Sequence, residues 1–151
     1  MRIAVVAFGD ASHGDDAIGL EIISRIDRTD LDEDVMIVNG GKNVLRTLES
    51  MSGFDGLILV DAASMGETPG TVKIYDVNDL VLGNSSSEIS FHGIKLDSEL
   101  LYAQKFLNLP PTIIVGVEPG AIGGTDISEC LRSKMASYVS AVMQAVSRFT
   151  V

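Results

Sequence analysis

The chain has 151 residues, 46% of them apolar, which is enough for one domain (1–151) that buries a sizeable core. Its formal net charge of −10 excludes unassisted nucleic-acid binding, which needs clustered Lys and Arg, and disfavours an anionic membrane surface. The single Cys130 excludes an internal disulfide and a Cys-rich zinc module; its place in the last helix's pattern predicts a buried, inert thiol. Met1-Arg-Ile leads directly into a strand with no signal-peptide pattern, and no apolar run approaches the roughly 18 residues that span a bilayer. The expectation is a cytoplasmic protein.

Strands and helices alternate along the chain. Ile3–Phe8 is apolar without alternation, as a strand covered on both faces would be. The loop Gly9-Asp-Ala-Ser-His-Gly-Asp-Asp-Ala-Ile-Gly19 follows, and a helix is predicted from Asp16 to about Asp27, with Asp15 placed to cap it. Val35–Val38 is a second strand ended by Asn39-Gly40-Gly41, ahead of a helix carrying Val44, Leu45 and Leu48. Gly56–Val60 is a third, ending at Asp61. Only Ala62 to Gly70 joins it to a fourth strand, Thr71–Tyr75, too short for a helical crossover, so the fourth should run antiparallel.

A polar stretch, Leu82 to Glu88, reads as a loop, with His92 just beyond it. A helix near Asp97–Leu107 carries Leu100, Leu101 and Phe106 and is stopped by Asn108 and Pro110-Pro111. Thr112–Val117 is the fifth strand, followed by Glu118-Pro119-Gly120 and a glycine-rich loop. A long last helix, Ile127 to Phe149, presents Leu131, Met135, Val139, Val142, Met143 and Val146 on one stripe. With right-handed crossovers this is a three-layer α/β/α sandwich around a five-stranded, mostly parallel sheet with one antiparallel strand.

Open α/β sheets place ligand chemistry at the carboxyl ends of their strands. Asp16 follows strand one and Asp61 follows strand three, so both should stand on one edge, over which the loop holding His92 can fold. Two carboxylates and an imidazole suit zinc, nickel, iron or manganese, and three protein ligands leave positions open. Each residue also has a plainer reading: a helix cap, an acid satisfying loop amides, a surface histidine. His13 is a rival ligand. The spacing of Gly9 and Gly14 fails the phosphate-loop and dinucleotide patterns, and there is no Gly-x-Ser-x-Gly elbow. A metal-free peptidase with Asp16 and Asp61 sharing a proton also fits.

The order of these motifs resembles the hydrogenase maturation endopeptidases, which trim the large subunit of nickel–iron hydrogenases. The first motif of that family reads here Gly9-Asp10, four residues, Asp15-Asp16, then Gly19; the second is Asn39-Gly40-Gly41. The third is Leu57-Ile-Leu-Val-Asp61-Ala62 with Pro69-Gly70 after it, and His92 ahead of a helix and Gly116-Val-Glu-Pro119 complete the set. The resemblance runs to about residue 148 and implies a phosphorylase/hydrolase-like fold. It further implies that Asp16, Asp61 and His92 are metal ligands, with Asp16 and Asp61 catalytic. The metal would be nickel supplied by the precursor, with zinc or another divalent ion possible in its place. The partner is then the hydrogenase large-subunit precursor, cut at its C-terminal extension after nickel insertion. Either a metal-bound water or an Asp acting as general base would serve such a cleavage.

Two positions depart from the family pattern: Asp10 stands for the usual Asn, and Asn39 for the usual Asp. An exchange of acid and amide between two neighbouring loops would preserve total charge. The alternative is a catalytically inactive metal- or partner-binding protein on the same scaffold. Peptidyl-tRNA hydrolase, with a similar sandwich, is disfavoured by the net charge and by Asp10.

Overall fold

A computed structural model of the chain describes residues 1–79, 90–91, 96–120 and 125–150. Strands β1 (Ile3–Phe8), β2 (Val35–Gly41), β3 (Gly56–Ser64), β4 (Val72–Asp76) and β6 (Thr112–Val117) form one sheet in the order β2-β1-β3-β6-β4. A two-residue strand, β5 (Ser90–Phe91), adds to β3 antiparallel. The β1–β2, β1–β3 and β3–β6 pairs are parallel, and β4 runs antiparallel to β6, as the short third connection predicts.

Every residue of β1 and β6 is buried, because helices cover both faces of the sheet. On one face Ile3, Val5, Ile58, Val60 and Val115 pack against α1 (Ile18–Ser24), α4 (Glu129–Arg132) and α5 (Met135–Thr150). On the other, Val6, Phe8, Leu57, Leu59 and Ile114 pack against α2 (Val44–Glu49) and α3 (Leu96–Phe106). The strand period of two sends alternate residues to opposite faces. The architecture is the expected α/β/α sandwich.

Several boundaries differ from the sequence expectation. β3 does not end at Asp61 but continues to Ser64: β1 leaves it after Val60, while β6 stays beside it to Ala62 and β5 takes Ala63 and Ser64. β2 continues through Asn39-Gly40-Gly41, with an irregularity where Phe8 pairs with Gly41. The first helix is a 3₁₀ turn, Asp15–Ala17, followed by the shorter α1. The last helix is broken at Ser133-Lys134 into α4 and α5. Cys130, in α4, is exposed, its thiol directed at the Pro69 carbonyl at 3.3 Å, instead of buried. Phe106 is likewise 70% exposed, its ring tilted against that of Tyr102 at 4.9 Å rather than in the core.

The expected loop 82–88, His92 and the middle of the glycine-rich loop lie outside the described residues. Among the described residues no helix is long and apolar enough to cross a membrane.

Candidate functional site

The carboxyl edge of the sheet concentrates buried charge. Among the described residues the buried acids are Asp15, Asp16, Asp61 and Glu118: the first two follow β1, Asp61 lies in β3 just past its pairing with β1, and Glu118 follows β6. Two glycines let the first loop close down on this edge. Gly9 has φ +151, and a Cβ there would collide with the Asp16 carbonyl oxygen, so only glycine permits the fold-back. A Cβ on Gly19 would lie 2.5 Å from the Val60 carbonyl oxygen and 3.1 Å from that of Phe8, so α1 rests directly on the ends of β1 and β3.

Asp16 is 3% exposed in the 3₁₀ turn that packs against β3. Asp61 is fully buried one residue after Val60, on the same strand face as Leu57, Leu59 and Ala63, which is the face covered by α2 and α3. Its Oδ1 accepts from the Ala62 amide at 2.8 Å. The structure therefore brings Asp16 and Asp61 to one sheet edge. His92 lies outside the described residues; the chain meets β3 at Phe91, opposite Ala63, one residue before it. Among the described residues no three His, Cys, Asp or Glu side chains group as a metal site.

Asp15 is no helix cap. Neither the 3₁₀ turn nor α1 has a side-chain cap, and the carboxylate reaches across the edge instead. It accepts from the Gly120 amide at 2.8 Å, the Ser128 amide at 2.7 Å and the Ser128 hydroxyl at 2.9 Å. Glu118 works in the same way: its Oε1 accepts from the Met65 amide at 2.7 Å and the Glu67 amide at 3.0 Å, pinning the β3–β4 connection. Tyr138 of α5, fully buried, donates to the Gly70 carbonyl at 2.7 Å on that same connection. Burial, with the nearby Cys130 and Asp15 adding to it, raises the Tyr138 phenol to about 12. Sequence reasoning missed Glu118 as a loop holder. The available signal was its position, an acid directly after an apolar strand, the same as that of Asp61.

The two departures from the family motifs sit in touching loops. The Gly9 amide donates to the Gly41 carbonyl at 2.9 Å, and Lys42 Nζ stands 3.5 Å from Asp10 Oδ2. Asp10 also receives the Ser12 amide and hydroxyl, at 3.0 and 2.7 Å, and has His13 Nδ1 2.7 Å from its other oxygen. Those Ser12 hydrogen bonds, with His13 and Lys42 beside them, hold its carboxyl well below the usual range. Asn39 folds its side-chain oxygen onto the Gly41 amide at 3.0 Å. The negative charge of Asp10 thus faces the Lys42 ammonium and the Ser12 donors, and His13, the rival ligand, is engaged there with it.

The α/β/α sandwich with buried acids at its carboxyl edge defines an α/β class of protein, and the comparisons place the chain within one family of it. The sequence profile of the hydrogenase maturation protease family matches residues 20–148, and the chain belongs to that family. It is 32% identical over 126 residues to the hydrogenase 2 maturation protease of Escherichia coli K12, spanning 81% of this chain and 76% of that one. It is 26% identical over 121 residues to the hydrogenase expression/formation protein HupD of Rhizobium leguminosarum bv. viciae, spanning 78% of this chain and 59% of that protein. A relative from Methanocaldococcus jannaschii aligns over about half of each chain, 52%. The structure resembles that of the hydrogenase maturating endopeptidase HybD from Escherichia coli with a TM-score of 0.79 and 25% identity, covering 98% of this chain and 93% of that one.

Proposed function

We propose that this chain is an endopeptidase of the cytoplasm that removes the C-terminal extension of a nickel–iron hydrogenase large-subunit precursor after nickel insertion. In this reading Asp16, Asp61 and His92 engage the nickel that the precursor already carries, so the metal belongs to the substrate. The observation that supports it most is the pair of buried carboxylates, Asp16 and Asp61, brought to one sheet edge by the Gly19 contact and the turn packed on β3. Oxygen donors with one imidazole form a set that accepts a divalent ion such as nickel or zinc. Anchoring the precursor through its metal would fix the scissile bond beside the acids and make attack nearly intramolecular. Asp16 or Asp61 would then take the proton from the attacking water.

The test is the variant His92→Ala. It should melt like the parent and fail to trim a nickel-loaded precursor; undiminished cleavage would overturn the assignment. A chelator added before nickel loading should block processing. Equal cleavage of the metal-free precursor would make the protein an ordinary peptidase.

A further inference from the structure

The two margins of the sheet are built differently. At one, β4 carries Lys73 and Asp76, with Lys73 paired to Glu67, and charged side chains on a margin discourage a further strand from pairing there. At the other, β2 runs Val35-Met-Ile-Val-Asn-Gly-Gly41 with neither a charge nor a proline, and it pairs only with β1. Met36 on this strand is 47% exposed.

The hydrogen bonds of β2 define what the margin presents. The Asp34 carbonyl accepts from the Ile3 amide at 3.1 Å, and in a parallel pair alternate residues turn both backbone groups to the same neighbour. Met36, Val38 and Gly40 therefore serve β1, while Ile37 and Asn39 turn their amides and carbonyls outward. The Val35 amide is used by the Asp32 carbonyl at 3.1 Å and the Gly41 amide by the Asn39 side chain at 3.0 Å, so the ladder open to another strand is Ile37–Asn39. Among the described residues, none bonds to those four outward groups.

The chain around this ladder is complementary to itself when reversed. Asp32, Glu33 and Asp34 are exposed before it, and Lys42 and Arg46 are exposed after it. An antiparallel second copy that sets Ile37 opposite Asn39 uses all four outward groups in two equivalent halves. That register puts Val38 on the two-fold axis and Met36 opposite Gly40, which has no side chain to obstruct it. It also brings Asp34 of each copy to the end where the other carries Lys42. Asp34 lies 3.9 Å from the N-terminal amine and Lys42 3.5 Å from Asp10, but their side chains are 67% and 64% exposed and remain open to a second partner.

We infer that β2 is an association edge at which two copies of this chain join their sheets into one, antiparallel across the Ile37–Asn39 ladder. One strand pair with an ion pair at each end is smaller than the interfaces of about 1,200–2,000 Å² that hold stable complexes. The dimer is therefore reversible and set by concentration.

Sedimentation velocity of the full chain, from about 5 to 500 µM, tests this at roughly 0.15 M salt, where a Debye length of about 8 Å screens the net charge of −10 on each copy. The parent should pass from monomer toward dimer across that range. Hydrogen–deuterium exchange at the Ile37 and Asn39 amides should slow at the highest concentration relative to the lowest. Met36→Lys and Asn39→Asp each set like charges beside the axis and should weaken association about tenfold or more. Both should melt like the parent, since Met36 is exposed and Asp at position 39 keeps an acceptor for the Gly41 amide. Asp34→Lys should also weaken the dimer. A parent that stays monomeric throughout, a dimer unchanged in both axis variants, or protection that avoids Ile37 and Asn39 would overturn the inference. So would protection of those amides that appears only when a precursor peptide is added to monomeric protein, which would give the edge to a peptide instead. None of these readouts depends on precursor cleavage.

Discussion

Asp15 and Glu118 are buried like Asp16 and Asp61, and all four belong to the same end of the same sheet. They differ in what they join. Asp15 collects donors 105 and 113 residues away in the chain, and Glu118 collects amides 53 and 51 residues away. Each ties a loop of the carboxyl edge to a distant segment, and a buried anion surrounded by backbone amides is stable there because its hydration has been replaced. Asp16 and Asp61 are instead set in place by backbone, the first by a 3₁₀ turn and the second by strand register. Asp15 and Glu118 tie distant segments to the edge, while the backbone of the turn and of β3 carries Asp16 and Asp61 to it.

Isosteric changes separate the pairs most strongly. Asp61→Asn keeps the side-chain shape and the acceptor for Ala62, and Asp16→Asn keeps its volume. Both should fold, with thermal midpoints near the parent, and both should lose precursor processing by about two orders of magnitude or more, the scale of a missing general base. A variant that still processes would move the catalytic acid elsewhere.

Asp15→Ala should show the reverse weighting. It strips the acceptor from two backbone amides and a hydroxyl, so urea unfolding should show a loss of roughly 3 kcal/mol, given about 1.5–3 for each hydrogen bond to a charged group and partial rescue by water. An Asp15→Ala protein of parental stability would contradict the clamp.

Sequence patterns read the sheet better than its edge. β1 and the antiparallel β4 were legible because an unalternated apolar run and a short connection each leave one structural option. The end of β3 was not, since nothing local marks whether β5 will take Ala63 and Ser64. The break at Ser133-Lys134 interrupts an apolar stripe that keeps helical spacing through Leu131, Met135 and Tyr138 and contains neither Gly nor Pro. Asp15 was misread for a related reason: a cap is inferred from the next three residues, whereas its donors are in another part of the chain. The placement of Asp16 and Asp61 on one edge followed from topology alone, which a parallel pair of strands fixes.

Tyr138 tests the edge from its underside. Tyr138→Phe leaves the Gly70 carbonyl without its buried donor and should cost about 1–2 kcal/mol. The pH dependence has a definite sign. The folded phenol titrates at about 12 against an ordinary 10.0, so its contribution is full below pH 10 and is lost as pH rises toward 12. The parent should therefore show a steeper alkaline loss of stability than Tyr138→Phe over that window, followed by urea midpoints at successive pH values.

The smallest effect is expected at Asp10, on the exposed rim where the sequence leaves its family pattern. Its folded carboxyl lies below the usual range, so whatever it contributes is complete above the ordinary carboxylate pKa and is lost only as pH falls through the folded value. Asp10→Asn keeps an acceptor for Ser12 but removes the charge that faces His13 and Lys42, and solvent screens ion pairs of this kind. Urea midpoints at neutral pH should therefore lie close to those of the parent. Processing should continue, because the Asp10 carboxylate is engaged by Ser12 in its own loop and by Lys42 in the neighbouring one. Loss of cleavage in Asp10→Asn, with the fold intact, would show that this acid belongs with Asp16 and Asp61 rather than with the residues that shape the rim.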